Sequence, residues 1–320
     1  MAPIKIIVFG PTGKVGSAVA QYARQQGAKI ILATRDPQKP IPDPTPEHEL
    51  EDRYERVTAD LAEPDSITTV VKKTGAKRAF IYVAFGATDY MKPSIKALKL
   101  AGIEFVVLLS SWSVQGDLRS ITEPSSFIAW AHAQVEINLE NTFGANGFIA
   151  VRPAFFASNA LWYKEMVLEG EVKIVYPNTK VDWISPSDIG GVCATLLVRG
   201  SQCISDGNAI FLCGPEKLSQ RDAISIIGQL IGKDIKVTKL DEQTGLEMLM
   251  DVGLPEAVAK TLIQQLARDE RDDRAHSIFG LPLYNTVVGN IEKYMARKPM
   301  RFEEWAKLNK AAFSTYANRR

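Results

Sequence analysis

Three glycines near the amino terminus have a spacing that suits phosphate binding. Gly10, Gly13 and Gly16 form a G-x-x-G-x-x-G motif directly after a β-branched run. Glycines permit a tight turn and close backbone approach, and a helix beginning here would offer free N–H groups and its positive dipole end to a pyrophosphate. The alternative is a glycine-rich turn without a ligand. The residues expected to contact the phosphates of a dinucleotide are Gly10, Thr12, Gly13, Lys14, Val15 and Gly16.

A basic residue follows the second predicted strand, at the position that usually meets the adenosine ribose. The segment reads Ala33-Thr34-Arg35-Asp36. An acid at this point would accept hydrogen bonds from the 2′-hydroxyl of NAD, whereas the Arg35 guanidinium can pair with a 2′-phosphate and stack on adenine. The sequence therefore favours NADP(H). The alternative is that Arg35 faces solvent and Asp36 binds the ribose.

An acid and an apolar residue follow the third predicted strand. Asp60 and Leu61 occupy the place where such a pair typically flanks the adenine ring. An acid in this loop is equally suited to capping the next helix. We expect both residues to contact the cofactor, with capping as the alternative for Asp60.

These motifs lie at strand ends in a chain that alternates β-branched runs with helical patterns, which is typical of βαβ units and a parallel sheet. The five prolines between Pro37 and Glu51 predict an exposed loop. From Asp241 onward the pattern is mostly helical, which indicates a smaller α-rich lobe. Strands are predicted at Ile4–Phe9, Lys29–Thr34, Arg56–Ala59, Ala79–Ala84, Glu104–Leu109 and Phe148–Arg152, and helices at about 14–26, 65–73, 89–101, 125–143 and 155–168.

The composition is that of a soluble globular protein. The 320 residues are 46% hydrophobic, and 38 Lys plus Arg against 37 Asp plus Glu leave a net charge of +1, without the basic excess that nucleic-acid binding needs. No apolar run reaches the roughly 18 residues of a membrane span, and no signal peptide is evident. Cys193, Cys203 and Cys213 fit neither a disulfide framework nor a zinc site. We expect a cytoplasmic protein with structural thiols, no metal, and neither nucleic-acid nor membrane partners.

Together these motifs resemble the NmrA-like group of atypical short-chain dehydrogenases, over most of the chain. The resemblance implies an α/β fold: a doubly wound Rossmann domain at 1–153 and a smaller α-rich substrate lobe at 154–320, some segments of which return to the sheet, with the ligand between them. It also implies that Ala84, Phe85, Pro153 and Phe155 line the dinucleotide, with core packing as the alternative for Phe155. The resemblance is carried by Gly10-x-Thr12-Gly13-x-x-Gly16, Arg35, Asp60-Leu61, Ser110-Ser111-Trp112, His132-Ala133-Gln134-Val135-Glu136, Val151-Arg152-Pro153-Ala154-Phe155-Phe156 and Ile184-Ser185-Pro186-Ser187-Asp188-Ile189-Gly190.

The catalytic pair of ordinary short-chain dehydrogenases is missing from this sequence. Those enzymes place Tyr and Lys four residues apart on the helix after the fifth strand, so that the phenol can donate a proton as hydride moves. Ile128 and His132 stand at those positions and cannot reproduce the pair. The pair Tyr176 and Lys180 has the right spacing, but it spans Pro177-Asn178, a predicted turn.

Two residues are the candidates for catalysis. By alignment on Val114-Gln115-Gly116, Ser111 occupies the place where extended short-chain dehydrogenases keep a hydroxyl that binds the substrate's carbonyl oxygen; the alternative is that it caps its turn. His132 shares a helix face with Glu136, and an imidazole pKa of about 6.5 suits a proton relay beside the nicotinamide ribose, with Glu136 orienting the ring. The alternative is a buried histidine satisfied by a backbone carbonyl, or a contact to the ribose alone.

The expected function is NADPH-dependent reduction of a small, largely apolar carbonyl, quinone, imine or enone. An iminium substrate would need no proton donor at the hydride step. The alternatives are a non-catalytic NAD(P)-binding redox sensor or transcriptional regulator, as the family's namesake is, and a redox-neutral enzyme. Aromatic residues of the lobe suit either a flat apolar substrate or an ordinary core, and the helical tail 301–316 could cover a partner, which leaves an oligomer possible. Those aromatic residues are Phe155, Phe156, Trp162, Tyr163 and Trp183.

Overall fold

A computed structural model describes residues 3–42, 47, 50, 54–86, 88–123, 126–203, 207–271 and 284–314. Parts of the predicted loop at 37–51 and of the tail at 301–316 lie outside the described residues. The strands are β1 (Lys5–Phe9), β2 (Lys29–Thr34), β3 (Glu55–Thr58), β4 (Arg78–Tyr82), β5 (Phe105–Leu109), β6 (Phe148–Pro153), β7 (Glu171–Ile174), β8 (Lys180–Val181), β9 (Ala209–Leu212), β10 (Leu218–Ser219) and β11 (Lys236–Lys239). The α-helices are α1 (Lys14–Gln25), α2 (Pro64–Thr74), α3 (Lys92–Ala101), α4 (Phe127–Phe143), α5 (Lys164–Glu169), α6 (Pro186–Arg199), α7 (Gln220–Ile231), α8 (Glu242–Asp251), α9 (Glu256–Arg271), α10 (Tyr284–Met295) and α11 (Phe302–Leu308).

The chain divides into two compact units. The first unit consists of Met1–Pro153, Pro186–Leu212 and Asn290–Arg297. The second consists of Ala154–Ser185, Cys213–Gly289 and Lys298–Arg320. The chain therefore leaves the first unit after Pro153 and returns to it twice.

The first unit is built on a seven-stranded sheet in the order β3-β2-β1-β4-β5-β6-β9, in which every neighbouring pair is parallel. Residues 6–9 and 30–34 are buried, as expected of strands covered on both faces. The strand order reverses between β1 and β4, which is the switch point where open α/β sheets bind ligands outside the carboxyl ends of their strands. The predicted doubly wound Rossmann sheet is confirmed.

Close helix packing positions α1 beside this switch point. A Cβ added at Gly190 on α6 would come within 2.5 Å of the Ala18 Cβ and 3.0 Å of the Val15 carbonyl oxygen. Because Gly190 has no side chain, α6 can lie directly against α1, and the start of α1 is held in place by the body of the unit.

The described residues of the second unit form two small sheets and a core of large side chains. β8 pairs antiparallel with β10, and β7 pairs parallel with β11. Its buried carboxylate, Asp182, accepts the Phe155 N–H (2.8 Å) and the Gly214 N–H (2.7 Å), and burial raises its pKa to about 6. The rings at the centre of this core are Trp183, Phe302, Trp305 and Phe313.

Some predicted elements end differently in the structure. The fourth strand stops at Tyr82, so Val83 and Ala84 leave the sheet, and α3 begins only at Lys92 because Tyr90 and Met91 have left-handed backbone (φ 49° and 62°). The single helix predicted at 155–168 is wrong, since a 3₁₀ segment at Ala157–Tyr163 precedes α5. The reason is that the Phe155 carbonyl and the Ala157 N–H bond to Ile184 instead of to helical neighbours.

Three smaller findings concern the predicted turn, membrane spans and cysteines. Tyr176 has left-handed backbone (φ 52°) and its carbonyl accepts the Thr179 N–H, so Tyr176 and Lys180 flank a turn and share no helix. Among the described helices, none combines the length and hydrophobicity needed to cross a membrane. Cys193, Cys203 and Cys213 are free thiols, the first and last of them buried.

Candidate active site

The glycine loop leaves the start of α1 without acceptors for its first N–H groups. Gly10 has left-handed backbone (φ 69°), its N–H points to the Ala33 carbonyl (3.3 Å), and its own carbonyl accepts the Gly13 N–H (3.1 Å). The first helical bond runs from the Ser17 N–H to the Gly13 carbonyl (2.9 Å). No side chain caps the helix at Gly13. The N–H groups of residues 14–16 have no helical acceptor and are therefore available to an anion.

The three glycines do different things. A Cβ at Gly16 would lie 2.3 Å from the Gly10 carbonyl oxygen, and one at Gly10 would lie 2.6 Å from the Tyr82 ring, so the loop itself needs both glycines. A Cβ at Gly13 would meet only the Gly10 oxygen, at 3.4 Å, which is ordinary contact. The fold therefore does not need a glycine at 13, and a bare backbone there leaves room for a ligand.

The remaining loop residues differ in accessibility. Gly13 and Lys14 are exposed and Thr12 is half-buried, whereas the side chain of Val15 is buried. Val15 can therefore serve a phosphate through its backbone N–H, while Lys14 can also present its ammonium group.

Three polar side chains lie at the carboxyl ends of β2, β3 and β4, at the same edge of the sheet as the loop. Arg35 follows β2, Asp60 follows β3 and Tyr82 ends β4. Burial raises the pKa of Tyr82, and the charges of Arg35 and Asp60 both act on its hydroxyl. Tyr82 was not among the predicted site residues, and the only signal for it in the sequence is its place at a strand end.

Arg35 is available to a ligand in a way that Asp36 is not. The Arg35 side chain is exposed, and no hydrogen bond or ion pair joins it to another described residue. The Asp36 carboxylate accepts the Gln38 N–H (2.9 Å) and so stabilises its own turn. This arrangement favours Arg35 over Asp36 as the residue that contacts the ribose or its phosphate.

Asp60 and Leu61 both contribute to the turn before α2. The Asp60 carboxylate accepts the Ala62 N–H (3.0 Å), and Ser66 bonds to the Asp60 backbone. Leu61 is 2% exposed and belongs to the hydrophobic core, while its carbonyl accepts the Ser94 hydroxyl (2.6 Å). The Leu61 side chain therefore offers an adenine ring almost no surface, and of the two residues only Asp60, which is half-buried, can meet the cofactor through its side chain.

A buried ion pair lies beneath the carboxyl ends of β5 and β6. Arg152 binds both Glu136 oxygens, at 3.0 and 2.5 Å, and also donates to the Val114 carbonyl (3.1 Å). The Ser110 hydroxyl donates to the same carboxylate (2.5 Å). This network fixes the ends of β5 and β6 relative to the middle of α4. An arginine in an otherwise apolar, buried strand is the sequence signal for such a partner, because a buried charge needs one.

The structure corrects the expectation that Glu136 orients His132. Arg152 and Ser110 bind the Glu136 carboxylate. The His132 imidazole therefore has another partner, and its Nδ1 donates to the Ile128 carbonyl (2.8 Å) on the same helix. A carbonyl can only accept, so Nδ1 carries the hydrogen and Nε2 of the neutral ring is an acceptor. His132 is 7% exposed, and burial lowers its pKa to about 4. At neutral pH the ring can therefore accept a hydrogen bond but not donate a proton from Nε2.

Ser111 lies in the turn directly after β5. Its hydroxyl oxygen accepts the Ser113 N–H (3.2 Å) and its carbonyl accepts the Val114 N–H (3.1 Å). The side chain is half-buried, and its hydroxyl hydrogen is still available to a substrate oxygen. Pro153, at the end of β6, is buried, and its carbonyl accepts the Trp112 N–H (2.9 Å).

A cavity of about 210 Å³ opens at the same edge of the sheet, where the chain leaves β4. Ala84 and Phe85 line it, together with the rings of Tyr90 and Phe127. Phe85 is 37% exposed, and its ring lies 5.5 Å from the His132 ring and 6.1 Å from that of Phe127. No pattern in the sequence indicates this cavity, because its walls come from the β4–α3 loop and from α4.

Phe155 lies in the second unit. Its ring contacts Trp162 (6.3 Å) and Trp183 (5.1 Å), and Trp183 and Tyr163 are buried. Tyr163 and Trp183 belong to the core of this unit, Phe155 and Trp162 pack half-buried against it, and Phe156 is half-buried outside that cluster.

Comparison with known proteins gives one family and one fold. The sequence profile of the NmrA-like family matches residues 4–306. The nitrogen metabolite regulation-like protein bik4 of Gibberella fujikuroi is 37% identical over 321 residues, which cover 95% of each chain. The NADPH-dependent quinone oxidoreductase of Escherichia coli, solved with NADPH, is 16% identical with a TM-score of 0.68, over 96% of this chain and 99% of that one. A mutant NmrA is 18% identical with a TM-score of 0.69, over 96% and 95%.

Proposed function

Because the chain belongs to the NmrA-like family, we propose that it is an NADPH-dependent reductase of a small, largely apolar carbonyl, quinone, imine or enone. The observation that carries the proposal is the meeting of an anion-ready loop and an apolar cavity at one edge of the sheet. The name of the Escherichia coli quinone oxidoreductase, a protein of the same fold, describes chemistry of this kind.

The residues present fit NADP(H). Residues 14–16 would hold the pyrophosphate through their N–H groups, which the bare backbone at Gly13 leaves accessible. Arg35 would pair with the 2′-phosphate, with Asp60 and Tyr82 beside it. Ala84, Phe85 and Pro153 follow or end strands at the same edge and are proposed to line the cofactor. The chemistry that the cofactor supplies when bound is hydride donation.

The chain's own contribution to the reaction is positioning more than proton transfer. The Ser111 hydroxyl can donate a hydrogen bond to a carbonyl or quinone oxygen, which would stabilise negative charge forming there. His132 is neutral at physiological pH, with Nε2 as an acceptor, so we assign it to binding a ribose or substrate hydroxyl rather than to general-acid catalysis. Cationic imines suit such a site best among the four classes, because their reduction requires no proton at the hydride step.

The cofactor site is tested by placing a side chain where only the ligand needs a glycine. Gly13→Val should weaken the affinity for NADPH at least 100-fold, because the valine side chain would occupy the place of the pyrophosphate. The fold itself should tolerate the change. Gly289→Val is the matched control, since Gly289 also lies in open space without a positive φ. Fluorescence titration with NADPH measures both. Unchanged affinity in a folded Gly13→Val protein would refute the site.

Cofactor preference and turnover complete the test. Arg35→Asp should lower the NADPH-over-NADH affinity ratio by at least tenfold, because it replaces the phosphate partner with a like charge. NADPH oxidation is then followed spectrophotometrically with quinone, enone, aldehyde and iminium acceptors. A reductase oxidises NADPH with at least one class, and failure with all four would refute the proposed activity.

A non-catalytic redox sensor is the second candidate. Two observations favour it: the relative bik4 is named a regulation-like protein, and His132 cannot serve as a proton donor at neutral pH. A sensor would bind NADP⁺ and NADPH with clearly different affinities and oxidise NADPH with no acceptor. The same titration and the same acceptor panel therefore separate the two functions.

A further inference from the structure

The cavity beside Phe85 combines aromatic walls with a single charged side chain. Phe85, Tyr90 and Phe127 supply rings, and Val83 and Val135 are among the aliphatic residues between them. Among the described residues that line it, Glu123 alone carries a charge. A neutral apolar ligand gains nothing from a carboxylate at this position, whereas a cation is attracted by the carboxylate and can also interact with the aromatic rings.

The Glu123 carboxylate is not committed to another role in the described part of the chain. It is exposed, and it makes no hydrogen bond or ion pair with a described residue. Its charge acts on the Tyr90 hydroxyl, whose pKa is raised first by burial and then by Glu123. The carboxylate is therefore electrostatically close to a ring of the cavity wall, and its charge remains available to a ligand.

The Tyr90 wall is held in a strained conformation by specific contacts. Tyr90 and Met91 both have left-handed backbone, which non-glycine residues seldom adopt. The Asn138 amide donates to the Tyr90 carbonyl (3.1 Å), and the Tyr90 ring packs edge-on against Trp130 at 4.7 Å. Strain that is maintained by surrounding contacts is a feature of ligand-binding walls, since it keeps a ring in place before the ligand arrives.

We propose that this cavity binds a planar aromatic cation of one or two rings as the substrate, with Glu123 as the residue that selects the charge. A cavity of about 210 Å³ exceeds the roughly 150 Å³ that accommodates benzene and falls short of the roughly 300 Å³ of drug-sized sites, which sets the size of the ligand. The assignment as substrate depends on the proposed reductase function. The charge preference depends only on the cavity.

The test compares two probes of the same shape and different charge. N-methylquinolinium carries a permanent positive charge, and a quinoline with its methyl group on carbon is neutral at neutral pH. Calorimetric titration of the wild-type protein should show the cation binding about five- to tenfold more tightly, which is the size expected of one partly exposed carboxylate plus ring contacts. Glu123→Gln should remove that preference. Glu169→Gln, an exposed glutamate on α5 of the second unit, is the control that changes net charge equally and should keep it.

Each outcome decides between the parts of the proposal. Equal binding of the two probes to the wild type, or a preference that survives Glu123→Gln, would overturn the charge selection whether or not NADPH is oxidised. Displacement of the cation by NADP⁺ would assign the cavity to the nicotinamide ring and overturn the substrate site. A cation preference without NADPH oxidation by any acceptor, in a protein that binds NADPH, would refute the reductase function. The cation would then be a ligand of the cavity and not a substrate. In an active enzyme, Glu123→Gln should raise KM for cationic acceptors about fivefold, whereas the control Glu169→Gln should not.

Discussion

In the second unit the rings of Trp183, Phe302, Trp305 and Phe313 form a closed core, whereas in the first unit the rings of Phe85, Tyr90 and Phe127 border a cavity. Trp183 is 1% exposed and lies 4.8 Å from the Phe302 ring and 5.1 Å from that of Phe155. Phe85 is 37% exposed and borders a cavity. Both regions contain an aromatic residue with φ near 49°, Trp183 in one and Tyr90 in the other.

The difference lies in what fills the space beside each ring. The strained Trp183 is covered by other rings, and its indole N–H donates to the Leu218 carbonyl (3.0 Å), so its whole surface is used by the fold. Tyr90 contacts Trp130 and Asn138 and also borders the cavity, where no described side chain packs against it. Similar residue types therefore serve stability in one unit and are free for binding in the other.

The largest effect on stability should come from a substitution in the closed core of the second unit. Trp183→Ala removes the central ring of the second unit's core and should lower the free energy of unfolding by about 3–5 kcal/mol, as large-to-small substitutions in a packed core do. Urea denaturation followed by circular dichroism measures this. Leu308→Ala, at an exposed position, is the control and should change stability by less than about 0.5 kcal/mol. A loss below about 1 kcal/mol for Trp183→Ala would show that the core is not tightly packed.

The second prediction concerns His132, which is buried beside the cavity and whose ring contacts that of Phe85. Burial lowers the pKa of His132 to about 4, so between pH of about 6.5 and 4 the unfolded chain binds a proton that the folded protein refuses. Stability is therefore lost as the pH falls through this window, by ~2 kcal/mol at about pH 5. At neutral pH both states are uncharged at this residue and the contribution vanishes.

The variant His132→Gln isolates this contribution from other titrating groups. Its stability relative to the wild type, measured by urea denaturation, should improve by ~2 kcal/mol between neutral pH and about pH 5. Asp182→Asn would not reproduce the effect, because the buried Asp182 carboxyl has a raised pKa and its contribution changes in the opposite direction. A constant difference between His132→Gln and wild type across this range would mean that the imidazole titrates normally and is accessible to solvent.

The smallest effect should come from the open side. Phe85→Ala should lower the free energy of unfolding by less than about 1 kcal/mol, because much of the ring is already exposed. The same change should weaken binding of aromatic ligands in the cavity about tenfold, since it removes a wall rather than part of the core. Parallel stability and binding measurements on Phe85→Ala give both numbers. A stability loss as large as that of Trp183→Ala would place Phe85 in the core and contradict the comparison.

Most of the sheet and the phosphate loop were predictable from the sequence. The β-branched run of β1, the glycines and the helix of α1 are consecutive in the chain, so their geometry follows from local backbone preferences. The ends of β4 and α3 were less predictable, because the left-handed backbone at Tyr90 and Met91 depends on Asn138, almost fifty residues away. The helix predicted at 155–168 was wrong for the same kind of reason, since residue 184 takes the hydrogen bonds of its first turn.

The sequence by itself determined the succession of strands and helices in βαβ units, the loop that can receive a pyrophosphate, and the family. What only the tertiary structure decided was which side chains are available. The spacing of His132 and Glu136 suggested a pair, but Arg152 from another strand binds Glu136, and His132 turns to its own helix. Packing between distant segments also buries the Leu61 side chain in the core and leaves the cavity beside Phe85 open. Burial and pairing depend on contacts between distant segments, and local spacing carries no information about which of several candidate partners will be nearest.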